Sequence, residues 1–236
     1  MNLVFDLDDT IYNLMEPFQA AHETLYKDKT AVDATTLFMK SRVVCDEVVK
    51  KERAGLIAPE DVFYMRIKLA YEDYGIEIDR EAAAEFERIY RINQKMIKPD
   101  EEVRQLLDFC REKQICKAVL TNGVEKDQKN KAAFLKLNRW FPEENIFVSG
   151  AIGHQKPEPG AFHYVQTKLK LNPQETWYIG DSYDFDVRGA HGAGWRSIWY
   201  NHRQRPCPDE KNLADITVEN SRDLKEIIKK MWRESL

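Results

Sequence analysis

After Pro99 the chain alternates strand-like and helix-like patterns without interruption, and this alternation limits the fold more than any other feature. A helical stretch over about 100–113 leads to the apolar run Cys116–Thr121. A second helix, over about 125–137, leads to a strand near Ile146–Ser149, and a third, starting near Pro159, leads to Thr176–Ile179. A short helix over about 184–190 then precedes Arg196–Trp199, and a last one, about 221–234, carries Leu224, Ile227, Ile228, Met231 and Trp232 on one face. Repeated strand–helix units predict a parallel sheet with helices on both faces. The N-terminal run NLVFDL, residues 2–7, reads as one more buried strand.

Between that first strand and the alternating region lies a block of different texture. From Pro17 to Lys98 the apolar residues fall at helical spacing: Phe18, Ala21, His22 and Leu25; Phe63, Ile67, Ala70 and Tyr74; Ala82, Phe86 and Ile89. Asp79 is placed to cap a helix. The expected organisation is an α/β core built from residues 1–14 and 99–236, with a helical domain, residues 15–98, inserted after the first strand.

Charge and cysteine usage exclude several classes. The 36 basic and 40 acidic residues give a net charge of -4, without the basic excess of a nucleic-acid binder. No apolar run approaches the roughly 20 residues that span a bilayer. The N-terminus lacks a signal-peptide pattern. Cys45, Cys110, Cys116 and Cys207 form no CxxC pair, so reduced thiols and a cytoplasmic location are expected.

Four short segments carry the chemistry, each at or just after a predicted strand end, where open α/β sheets bind ligands. In Asp6-Leu7-Asp8-Asp9-Thr10, an extended backbone puts Asp6 and Asp8 on one face, and two carboxylates so close need a cation or a shared proton. Asp9 is expected to be a solvated or capping acid. Thr121-Asn122-Gly123 offers a hydroxyl and free backbone N–H groups to a phosphate oxygen. Lys156-Pro157-Glu158-Pro159 presents a lysine on a stiffened loop. Gly180-Asp181-Ser182-Tyr183-Asp184-Phe185-Asp186 adds carboxylates, with Asp184 the most ambiguous of them. A metal clamp, a nucleophile and donors around the equatorial oxygens are what phosphoryl transfer requires.

Asp6-x-Asp8-x-Thr10, Thr121, Lys156 and Gly180-Asp181-x-x-x-x-Asp186 resemble, in type and order, the four signature motifs of the haloacid dehalogenase superfamily. The helical block sits where the subfamily with an α-helical cap carries that cap. The resemblance implies a Rossmann-like sheet of order 5-4-1-2-3 and a Mg²⁺-dependent phosphatase. Asp6 would be the nucleophile and a metal ligand, and Asp8 the acid–base and a metal ligand through its carbonyl. Lys156 would steady Asp6 and the phosphoryl group, with Thr121 and Asn122 also at the phosphate. Asp181 would bind metal directly and Asp186 through water. Asp8 favours phosphate esters over haloacids, because an alkoxide leaving group benefits from a proton donor and a halide does not.

The implied substrate is a small phosphorylated metabolite, of nucleotidase or sugar-phosphate type, with no nucleic-acid or membrane partner and a monomeric or homodimeric chain. Tyr12, Asn13 and Met15 lie at the junction with the helical block, while Arg42, Lys50, Lys51 and Arg53 read mainly as a solvated face. His22 and His154 read as structural. Two alternatives are a phosphomutase of the same fold and a non-enzymatic phospho-acceptor or inactive scaffold.

Overall fold

The N-terminal apolar run forms β1 (Asn2–Phe5), with Leu3, Val4 and Phe5 fully buried, in a computed structural model that describes residues 1–235. The side chains of Asp46, Arg53 and Cys116 lie outside the described set, and so do the expectations placed on Arg53 and on the Cys116 thiol. The chain divides into two units, Met1–Asn13 with Lys98–Leu236, and Leu14–Ile97.

The second unit is helical: α1 (Met15–Tyr26), α2 (Ala34–Arg53), α3 (Val62–Glu72) and α4 (Arg80–Gln94). Asp33 and Asp79 cap α2 and α4 by accepting from the backbone N–H of Thr36 and Ala82. Phe18 anchors the core, its ring centroid 5.6 Å from Phe38, 6.5 Å from Tyr71 and 5.1 Å from Phe86. The buried stripes differ in phase from the expected ones. Tyr71, not Tyr74, completes α3's face, and Ala83, not Ala82, is buried on α4. A shift of one residue on a helix moves a side chain by about 100° of the 360° turn, so a stripe with a polar neighbour is easily mis-phased. His22 is buried, with Nδ1 2.8 Å from the Tyr71 hydroxyl.

In the first unit β1 is followed by α5 (Glu101–Glu112), β2 (Cys116–Thr121), α6 (Glu125–Phe134), β3 (Ile146–Val148), α7 (Ser149–Ile152) and α8 (Pro159–Leu169). Then come β4 (Thr176–Gly180), a π turn (Tyr183–Val187) running into α9 (Arg188–Gly192), β5 (Arg196–Tyr200), β6 (Ile216–Val218) and α10 (Ser221–Glu234). All strands pair in parallel, in the order β3-β2-β1-β4-β5-β6. The expected order 5-4-1-2-3 is thus extended by a sixth edge strand, β6, whose three residues follow a long polar loop. The helix expected over 125–137 ends at Phe134, because Lys136 turns left-handed at φ 54°.

Val4, Ala118, Leu120 and Tyr178 share one sheet face, covered by Phe162 and Val165 of α8 and Ala190 of α9. Alternation sends Asp6 toward the same face as Val4. α5 buries Val103, Leu106, Leu107 and Cys110, a helical i, i+3, i+4, i+7 set. Each such aliphatic residue contributes roughly 1.5–3 kcal/mol by burial. Asp100 caps α5 by accepting from Glu102 and Val103. α10 packs beside α5, with Trp232 edge-on to Phe109. Among the described residues no helix is long and apolar enough to cross a membrane.

Candidate active site

Because β1 lies between β2 and β4, residues far apart in sequence end at one sheet edge: Asp6 after β1, Thr121 at the end of β2, and Asp181 after β4. The Asp6 N–H donates to Ile179 O at 2.8 Å, so the ladder carries this residue to the lip of the sheet. Lys156 enters from the loop before α8. Asp186 is turned back by the π turn, where the Ser182 N–H donates to its Oδ2 at 2.9 Å. Gly180 is required beside it, since a Cβ there would overlap the Asp186 carboxylate.

The Lys156 ammonium stands among three acceptors: Asp6 Oδ1 at 2.6 Å, Asp186 Oδ1 at 2.6 Å and the Tyr178 hydroxyl at 2.7 Å. It is 3% exposed, far from the surface lysine that a Pro-rich loop suggests on its own. The Tyr178 hydroxyl donates to Leu120 O at 2.6 Å, which leaves the phenol oxygen to accept from Lys156. Asn122 clasps the lysine's backbone from both sides, donating to Lys156 O at 2.8 Å and accepting from Lys156 N–H at 2.9 Å. The Asn122 side chain thus holds Lys156 in place.

Asp6, Asp181 and Asp186 are all buried and offer oxygens within 4.8 Å of one another. Burial pushes the Asp6 carboxyl up to about 7; Lys156 pulls it down and Asp186 raises it again. Burial alone would depress Lys156, but Asp186 and Asp6 hold its pKa well above the ordinary lysine value. One ammonium against three carboxylates leaves a formal excess of two negative charges, which Arg205, 3.5 Å from Asp181 Oδ2, offsets only in part. A buried all-oxygen donor set short of positive charge fits a hard divalent cation.

Asp8 faces a different set of groups. Lys131 Nζ lies 2.7 Å from both of its oxygens, the Tyr12 hydroxyl donates to Oδ1, and Gln128 Nε2 donates to Oδ2 at 3.0 Å. Burial works against ionisation, but Lys131, Tyr12 and Gln128 outweigh it and hold the Asp8 carboxyl below its usual range. The Asp8 carboxylate stands outside the three-acid set. Gln128 Nε2 also reaches Thr121 Oγ1 at 2.6 Å and Asn122 O at 3.0 Å.

Asp9 is not solvated. It is 1% exposed, has φ 61°, and is held by Arg203 at 2.8 Å and 3.1 Å, while His202 Nε2 lies 2.9 Å from its carbonyl. Arg203 also donates to Asn13 at 2.6 Å. Asp184 is exposed and pairs with Arg188. Lys50 and Lys51 are exposed, as is His154.

The sequence motifs did not reveal Lys131, Gln128, Tyr178 or Arg205. Gln128 and Lys131 are three apart on the helix that follows Thr121, so they share a face that points back toward the strand end. That spacing was the available signal.

Comparison with known proteins places the chain in a defined context. A family model described as haloacid dehalogenase-like hydrolase matches residues 1–194. The HAD-hydrolase YfnB of Bacillus subtilis is 27% identical over 211 residues, 86% of this chain and 85% of that one. Its crystal structure, solved with magnesium bound, has a TM-score of 0.72 at 23% identity and covers 96% of this chain and 97% of that one. The glyceraldehyde 3-phosphate phosphatase of Methanopyrus kandleri is 23% identical over 98% of both chains. The L-2-haloacid dehalogenase RSc1362 has a TM-score of 0.75 at 17% identity, covering 97% of this chain and 98% of that one.

Proposed function

Because the chain belongs to the haloacid dehalogenase-like hydrolases, we propose that it hydrolyses small phosphomonoesters through an aspartyl-phosphate on Asp6, with Mg²⁺ as cofactor. The enzyme is a phosphatase, and the observation that carries the mechanism is the Lys156 ammonium bonded at once to Asp6 and Asp186, with Asp181 alongside. The helical unit, Leu14–Ile97, is read as the family's cap.

Asp6 attacks phosphorus and the ester P–O bond breaks. Asp8 gives a proton to the departing alkoxide. Water then attacks the aspartyl-phosphate, Asp8 takes its proton, and phosphate leaves with Asp6 restored. Asp6, Asp181 and Asp186 would hold Mg²⁺, which supplies positive charge that lets an anionic ester approach carboxylates. Lys156 favours the ionised form of Asp6 and orients it, and the Thr121 hydroxyl offers a donor to a phosphoryl oxygen. In the arrangement seen, Lys131 favours the carboxylate form of Asp8, the form that takes a proton from water. For donation to the leaving oxygen, the protonated Asp8 keeps one oxygen on Lys131 and turns the other, which carries the proton, to the departing group.

The fold does not choose the reaction, since a dehalogenase shares it. Asp8 favours the phosphate ester, because only an alkoxide leaving group needs the proton. The glyceraldehyde 3-phosphate phosphatase relative supports a small phosphorylated metabolite as substrate. A phosphate-release screen over small phosphomonoesters, with and without Mg²⁺, tests the reading. Free phosphate that appears only with divalent metal and disappears in Asp6→Asn is expected; activity that survives either change rejects it.

A further inference from the structure

We propose that Lys131, with Gln128 one turn earlier on α6, positions Asp8 for proton transfer to the leaving group. The proposal rests on the acid–base role given to Asp8 above.

A carboxylate at the end of a short side chain rotates freely about its last bond. Here both oxygens are taken up. Lys131 Nζ lies 2.7 Å from each, the Tyr12 hydroxyl holds Oδ1, and Gln128 Nε2 holds Oδ2 at 3.0 Å. The same Gln128 nitrogen lies 2.6 Å from Thr121 Oγ1 and 3.0 Å from Asn122 O, so one amide ties the proton-transfer group to the strand end proposed to meet the phosphate. Gln128 and Lys131 are 2% and 9% exposed, although α6 is polar along most of its length. A lysine buried to that degree normally appears only with a charged partner, and Asp8 is that partner. Their hydrogen bonds run to Asp8, Thr121 and Asn122, so their influence is directed at Asp8.

Proton transfer is steep in geometry, and its value depends on how much the departing oxygen needs the proton. A residue that positions Asp8 should therefore matter for an alkyl leaving group and matter little for p-nitrophenolate, which leaves without help. A residue that only holds α6 in place should affect both substrates alike.

The test compares kcat/KM on glycerol 2-phosphate and p-nitrophenyl phosphate, with saturating Mg²⁺, for the wild type, Lys131→Met, Lys131→Arg, Gln128→Leu and Asp8→Asn. For Lys131→Met we expect a fall of about 10- to 100-fold on the alkyl ester and less than about threefold on the aryl ester. Gln128→Leu should move the ratio in the same direction, and Lys131→Arg should restore part of it. Using the ratio of the two substrates cancels any loss of folded enzyme. If Asp8→Asn shows the leaving-group dependence and Lys131→Met does not, the positioning role is wrong while the acid–base role stands. If Asp8→Asn itself shows no such dependence, both are overturned.

Discussion

Lys156 and Asp186 meet through a 2.6 Å ion pair in which both side chains are at most 3% exposed, and the same ammonium reaches Asp6 at the same distance. Replacing Lys156 by Met leaves two buried carboxylates facing each other with Asp181 nearby. We expect turnover to fall by about 100- to 1000-fold, the scale of losing one preorganised electrostatic contact. Breaking a buried pair also destabilises by about 3–5 kcal/mol. Added Mg²⁺ should raise the Tm of Lys156→Met more than that of the wild type, because Asp6 and Asp186 have then lost their lysine. Thermal denaturation with and without metal, beside steady-state kinetics, checks both parts.

Gly180→Ala tests the cradle around Asp186. The new methyl would overlap the Asp186 carboxylate, which is already fixed by Lys156 and the Ser182 N–H. The acid must swing away, so metal affinity should drop by at least about tenfold along with activity, equivalent to about 1.4 kcal/mol. Isothermal titration with Mg²⁺ would show it, and an unchanged affinity would mean that Asp186 does not serve the metal.

Arg203 neutralises the buried Asp9 in a turn whose left-handed backbone already disfavours a non-glycine residue. Removing the guanidinium strands a buried charge. Arg203→Met should therefore destabilise the enzyme by about 3 kcal/mol, read from urea unfolding. The double variant Arg203→Met/Asp9→Asn should recover part of that loss.

His22 gives the helical unit a pH dependence. Its burial lowers its pKa from the ordinary 6.5, while Glu23 and Asp33 act in the opposite direction. Between the folded value and 6.5 the unfolded chain binds more protons than the folded one. The contribution is fully present above 6.5 and is lost as pH falls through the folded pKa. Tm should fall with acidification more steeply in the wild type than in His22→Gln, and an NMR titration of the ring should place its pKa below 6.5.

The strand-end acids and Thr121 were legible because each sits next to a strand whose apolar run is unmistakable, and Lys156 because two prolines stiffen its loop; strand order then brings them together. Partners contributed from afar were not. Lys131 meets Asp8 across 123 positions, and Arg203 meets Asp9 across 194. Beyond the Gln128–Lys131 spacing nothing in the polar α6 marks Lys131, and nothing in its polar loop marks Arg203, so Asp9 read as a solvated acid. The two bonds from the Asn122 side chain to the Lys156 backbone were not legible either, since an Asn beside a glycine reads as a turn until they are seen. β6 was missed because three residues carry too little alternation to stand out.

The central claim is that Asp6 becomes phosphorylated. Rapid acid quench during turnover of a phosphomonoester, followed by peptide mapping, reads this directly. The account predicts one hydroxylamine-sensitive phosphoryl group on the peptide containing Asp6, formed only with divalent metal and absent in Asp6→Asn. Turnover with no phosphoenzyme, or with the label on another residue, would contradict it.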